Sequence, residues 1–130
     1  MTKFLTAVFC TALLPAASEA QPRSRSRTAQ PMRLMATAYC DHGTTASGAE
    51  TRRWTMAADP RVLPIGSVVR IESPERQYSG TYTVTDTGAK VKGRKVDLFV
   101  PSCAKARQFG KRRVLARVLR RGPTGNASPR

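Results

Sequence analysis

The chain has 130 residues, 23 of them lysine or arginine and 8 aspartate or glutamate, for a formal net charge of +15. That length bounds the protein to one small domain, and that charge draws it to polyanions by long-range attraction. One tryptophan, three tyrosines and four phenylalanines are too few for a base-stacking platform, so a specific nucleic-acid partner is not expected.

Residues 1–20 read as a secretory signal peptide. Lys3 is a short basic segment, and residues 4–14 are an apolar run too short to span a bilayer. Ser18 and Ala20 are the small residues that a signal peptidase reads. Bulky Phe9 before Cys10 argues against a lipid anchor. The protein is therefore expected to be exported, to a periplasm or to the cell exterior and wall. Residues 21–32 carry Arg23, Arg25 and Arg27 among Ser, Thr and Pro. They cannot bury apolar surface and are expected to be a disordered basic arm. The arm is either a tether to anionic cell-envelope polymers or a solubilising linker. Residues 121–130 are a similar polar tail, which leaves residues 33–120 as the folded domain.

Loss of the signal peptide removes Cys10 and leaves Cys40 and Cys103. An even pair in an exported chain suggests a disulfide. It would close a loop of about 60 residues and stabilise the fold by roughly 4 kcal/mol. Two cysteines and His42 fall short of a zinc shell, and no metal or cofactor is expected. Asp41 would raise the pKa of Cys40, so a catalytic cysteine is not expected either.

Residues 34–40 alternate as a strand, with Leu34, Ala36 and Ala38 on one face and Met35, Thr37 and Tyr39 on the other. Residues 41–53 form a polar loop whose length in so small a domain points to function. A short strand at 54–58 ends at Asp59-Pro60. A turn at 63–66 leads to a strand at 67–71, a charged hairpin loop at 72–77 and a strand at 78–84. Residues 96–100 are a further strand. Ser102 is a good N-cap for a helix over 103–109 closed by Gly110, and 114–119 is the last strand. No repeat, heptad or membrane span is present, and a monomer is expected. Many short strands with one short helix predict a mainly β fold built as a small closed barrel.

Residues 86–97 read D-T-G-A-K-V-K-G-R-K-V-D. Apolar flanks make this strand, tight loop, strand, with Asp86 and Asp97 at the loop ends. Asp ranks low in strand propensity, so the pair asks for a reason. One reading is turn capping or ion pairing with Lys90, Lys92, Arg94 and Lys95. The other is a chemical site.

Six segments in order resemble the 3D domain family, named for three aspartates. They are A-T-A-Y at 36–39, T-A-S-G at 45–48, A-A-D-P at 57–60, V-L-P-I-G-S at 62–67, D-T-G-A-K-V-K-G at 86–93 and V-D-L-F at 96–99. The resemblance runs from about Met35 to Leu119. It implies a six-stranded double-psi β-barrel with one short helix, related to MltA-type lytic transglycosylases and to stationary-phase muralytic proteins of the resuscitation-promoting type. The three aspartates map onto Asp59, Asp86 and Asp97, and the family's catalytic aspartate falls on Asp97. Ala89 departs from the pattern, because the family usually has a second glycine there, so a slightly different loop shape is expected. The domain is expected to stand alone, without the larger second domain of MltA-type enzymes.

The implied substrate is the glycan strand of peptidoglycan. A lytic transglycosylase needs one carboxyl that first protonates the glycosidic oxygen and then deprotonates the muramic acid 6-hydroxyl. Asp97 would do both, with its pKa raised by burial and by a nearby ionised Asp86, against the pull of Lys92, Arg94 and Lys95. Asp59 is either a site residue or a turn former. Thr45, Ser47 and Gly48, together with Thr87, Gly88, Lys92 and Gly93, are the candidate substrate contacts. A non-catalytic wall-binding or wall-loosening module is the alternative, since fold does not fix function.

Overall fold

The computed structural model describes residues 30–124. The expected signal peptide, most of the expected basic arm and the end of the expected polar tail lie outside the described residues. Six strands close into a barrel: β1 (Met32–Tyr39), β2 (Thr55–Ala58), β3 (Val68–Glu72), β4 (Gly80–Asp86), β5 (Lys95–Phe99) and β6 (Arg112–Arg120). Their order around the wall is β1-β5-β2-β4-β3-β6, returning to β1. Two pairs, β1·β5 and β2·β4, run parallel, and the rest are antiparallel. Closure leaves no unpaired strand edge. The mainly β barrel expected from the sequence is the fold found.

Strand alternation decides what the barrel holds. Leu34, Ala36, Met56, Val69, Ile71, Val84, Val96, Leu98, Val114 and Ala116 fill the interior. Their alternate neighbours face outward, as the two-residue period requires. One helix, α1 (Cys103–Phe109), lies against the barrel, burying Ala106 and Phe109. The Ser102 hydroxyl caps it by accepting from the Lys105 N–H at 3.4 Å, and Gly110 ends it at φ +60°. A disulfide joins Cys40, just past β1, to Cys103, the first residue of α1.

Strand bounds shift by one or two residues, and β1 starts at Met32, inside the expected disordered arm, because it pairs with Ala116 of β6. Three further differences matter. Residues 76–78 form a 3-10 turn, not the start of a strand. Tyr78 is turned inward there to pack edge-on against Phe109 at 4.8 Å, and its carbonyl accepts from the Tyr82 hydroxyl at 2.9 Å. Trp54 stands outside β2 with φ +68°. Its indole lies on Gly80, where any Cβ would fall 2.4 Å from the ring. Asp97 is the third residue of β5, inside the strand and not at its edge. Beyond β6, Gly122 is buried and donates its N–H to the Ser67 hydroxyl at 2.9 Å, so the chain stays packed past residue 120.

Candidate functional site

Strand register brings the aspartates together. Thr37 on β1 is opposite Asp97 on β5, Asp97 is opposite Ala57 on β2, and Ala57 is opposite Asp86 on β4. The last pairing depends on a register shift. Met56 faces Val84, yet Ala57 faces Asp86, so Thr85 is the extra residue of a bulge. Directly opposed residues share a face of the sheet. Thr37, Asp97, Ala57 and Asp86 therefore form one transverse row on the outer wall, while Ala36, Met56, Val96 and Leu98 point into the core. Two strand spacings put the Asp86 and Asp97 backbones roughly 10 Å apart.

Asp97 is half-buried. Burial pushes its carboxyl above the usual range, and the Thr37 hydroxyl, donating to Oδ1 at 2.9 Å, partly opposes this. The sequence reading also assigned a push to Asp86 and an opposing pull to Lys92, Arg94 and Lys95. None of these acts on Asp97. The separation of two strands explains Asp86, because charges about 10 Å apart near the surface are largely screened. The ion pairing offered as one reading is not found: among the described residues, neither Asp86 nor Asp97 pairs with a cation of the loop.

Asp86 ties loops together. Its Oδ1 accepts from the Thr87 N–H at 2.8 Å and from the Ala46 N–H at 3.3 Å. Beside it, the Ser47 N–H donates to the Thr85 carbonyl at 3.0 Å. The loop bearing Thr45, Ser47 and Gly48 is thus fastened to the end of β4. Thr45 is buried and spends its hydroxyl on the Ala49 carbonyl and on the Ser47 hydroxyl. Ser47 and Gly48 remain exposed.

Asp59 is 1% exposed and fully engaged. Oδ1 accepts from the Arg61 N–H and Nε, and Oδ2 accepts from Arg61 Nη2 at 2.8 Å and from the Gly93 N–H at 2.7 Å. The Arg61 side chain first, then the Gly93 and Arg61 amides, hold its carboxyl well below the usual carboxylate range. Asp59 therefore clamps the far end of loop 87–94. Gly88 holds the near end. It sits at φ +55° over Ala57, and a Cβ there would lie 2.6 Å from Val91 Cγ2. Lys92 is exposed. Ala89 does not take a positive φ, since Trp54 alone among the described non-glycine residues does. Its departure from the family pattern therefore costs no backbone strain.

Two residues at the row went unremarked as site residues in the sequence: Thr37 within it, and Tyr39 two positions further along β1. The Tyr39 hydroxyl is buried without a hydrogen-bond partner. Burial, then the charges of Asp86 and Asp97, push it up to about 12. The signal was available, because Thr37 and Tyr39 share the outward face of the first strand and Asp97 is outward on its parallel neighbour. The arrangement holds a carboxyl biased toward its protonated form, an uncommitted phenol hydroxyl near it, and two further carboxylates spent on loop geometry.

Comparisons with known proteins agree with this architecture. A family profile described as 3D domain matches residues 54–120. The cell wall-binding protein YocH of Bacillus subtilis (strain 168) is 37% identical over 95 residues, which is 66% of this chain and 31% of that protein. The chain thus spans about a third of that relative's length. Among solved structures, the Streptomyces papain inhibitor superposes with a TM-score of 0.57 at 17% identity, over 72% of this chain and 98% of that one. MltA from E. coli superposes with a TM-score of 0.51 at 17% identity, over 62% of this chain and 28% of that one. At such identities the two structures speak for the fold alone. The family profile covers more than half of the sequence, and it spans all three aspartates on their loops and strands: the chain belongs to the 3D domain family.

Proposed function

We propose that the protein is an exported lytic transglycosylase of peptidoglycan. In this reading it cuts the glycosidic bond between N-acetylmuramic acid and N-acetylglucosamine and leaves a 1,6-anhydro ring. The observation that carries the reading is Asp97, a half-buried carboxyl pushed toward its protonated form at the centre of the row. The family relationship and the cell wall-binding name of the Bacillus subtilis relative support the substrate class. The disulfide supports an oxidising compartment.

The mechanism follows from one group used twice. Protonated Asp97 gives its proton to the glycosidic oxygen as the bond to the anomeric carbon breaks. The carboxylate left behind takes the proton of the muramic acid 6-hydroxyl, whose oxygen attacks the same anomeric carbon and closes the ring. The nucleophile belongs to the substrate, so no water need be positioned and proximity supplies much of the rate. Asp86 and Asp59 act as positioning residues through the loops they fasten. Thr37 tunes Asp97 through its hydrogen bond. In this reading Ser47, Gly48, Thr87 and Lys92 are the candidate substrate contacts.

The test is mass spectrometry of sacculi digested with wild type and with Asp97→Asn. Anhydro-muropeptides from the wild type and none from the folded variant are expected. Wild-type rates from Asp97→Asn would sink the assignment.

A second reading is favoured by the printed name of the Bacillus subtilis relative: a wall-binding module without catalysis. It predicts salt-sensitive retention on sacculi and no anhydro product from the wild type.

A further inference from the structure

A cleft lies one step along the wall from Asp97. On β5, Asp97 and Phe99 face the same way, roughly 6.6 Å apart along the strand. Phe99 contacts Tyr39 edge-on at 5.5 Å and with Val100 begins the lining of a cleft of about 180 Å³. Trp54 and Tyr82 make its aromatic side, 5.2 Å apart in an edge contact. Arg53, stacked over Trp54 at 4.8 Å, and Lys105 of α1, with the N-cap Ser102, make its polar side.

Three features set this cleft apart from a chance dent. It contains two cations and no carboxylate among its lining residues. Its volume suits one sugar ring or a short acyl group, well below a drug-sized pocket. The chain also accepts strain to build it: Trp54 is the one described non-glycine residue at positive φ, a conformation costing on the order of 1–2 kcal/mol. The strain is held by Gly80 under the indole and by the Trp54 carbonyl, which accepts from the Thr83 N–H at 2.9 Å.

We infer that this cleft is a binding subsite for a carboxylate carried next to a sugar ring, with the ring or its acyl group against Trp54 and Phe99 and the carboxylate between Arg53 and Lys105. The inference rests on the peptidoglycan reading and deepens it, since such a carboxylate comes either from a lactyl group on a glycan without peptides or from a stem peptide.

Trp54 is the chain's one tryptophan, so its fluorescence reports on the cleft directly. The titrations use full-length Asp97→Asn protein, which keeps ligands intact. Glycan oligomers with free lactyl carboxylates and peptide-bearing muropeptides are compared with neutral chito-oligosaccharides. Saturable change with a carboxylated ligand, at least tenfold weaker for the neutral one, is expected. The exposed pair Arg53→Ala/Lys105→Ala should weaken binding about tenfold or more, since a charged hydrogen bond is worth roughly 1.5–3 kcal/mol. Arg70→Ala/Arg117→Ala removes the same charge from the β3·β6 wall and should cost less than about threefold, as screened distant charges do. Competition by isolated stem peptide assigns the carboxylate to the peptide; binding of peptide-free glycan alone assigns it to the lactyl group. No saturable change with either carboxylated ligand, equal binding of the neutral one, or equal loss in both double variants overturns the inference. Product release is measured separately on wild type. Binding without anhydro product removes the enzyme reading and leaves the cleft standing, and product without cleft binding does the reverse.

Discussion

Asp97 accepts a hydrogen bond from Thr37 at 2.9 Å across a parallel strand pair whose two residues lie 60 positions apart in the chain. This contact sets how far burial can raise the carboxyl. A donor to a carboxylate favours the charged form and lowers the pKa. Thr37→Val keeps the β-branched shape and removes the donor, so the Asp97 pKa should rise further. The acid would then stay protonated to higher pH. The alkaline limb of the pH–rate profile for anhydro-muropeptide release should move up, with the fold unchanged by circular dichroism. A downward shift would contradict the role given to Thr37.

Asp97→Asn should stabilise the protein at neutral pH while removing its proposed activity. Because the folded pKa is raised, the native state holds a proton that the unfolded chain releases first. Stability is then fully present below the unfolded value near 3.8 and is lost as pH rises through the folded pKa. The variant lacks that loss. Melting temperatures of the two proteins should diverge, in the variant's favour, on going from acid to neutral pH. Equal melting at every pH would show that the carboxyl is not strained by burial.

Asp59 predicts the opposite sign. Its folded pKa is depressed, so its contribution is present above the unfolded value of about 3.8 and is lost as pH falls toward the folded pKa. Asp59→Asn should lower the melting temperature at neutral pH and flatten the acid end of the wild-type curve. Amide exchange at Gly93 should quicken, because its N–H loses a carboxylate acceptor at 2.7 Å. Unchanged exchange would refute the clamp.

Gly88→Ala tests the near end of the same loop. The added Cβ meets Val91 Cγ2 at 2.6 Å at a φ of +55°. Left-handed strain and overpacking together should cost roughly 2–4 kcal/mol, read from denaturant midpoints. Val91→Ala in the same chain should return part of that loss, leaving the backbone penalty, and the pair should be non-additive. Additive losses would place the clash elsewhere.

Much of this was legible in the residues. Alternation in the first strand marked its inward face, Ser102 and Gly110 bracketed the helix, and the cysteine count gave the bridge. What escaped was non-local. The row Thr37–Asp97–Ala57–Asp86 is assembled by two parallel pairings and a bulge at Thr85, and no local pattern announces a bulge. Placing Asp97 at the loop edge led to the expectation that Asp86 would act on it, whereas two strand spacings separate them. Tyr78 looked like a strand residue because propensity does not register the aromatic contact with Phe109.

The bridge between Cys40 and Cys103 bears on how the barrel is reached as well as on how it is held. Parallel pairing of β1 with β5 must close a long loop before any contact repays the lost chain entropy, which is the feature that slows folding in β topologies. Cys40 follows Tyr39, and Cys103 comes four residues after its register partner Phe99. Once the sulfurs are joined, those two strands are near neighbours in the covalent graph, and their pairing becomes a short search. The timing of oxidation therefore matters: a chain oxidised early has the Thr37–Asp97 end of its row half-assembled, while a reduced chain must find the same register across the whole domain.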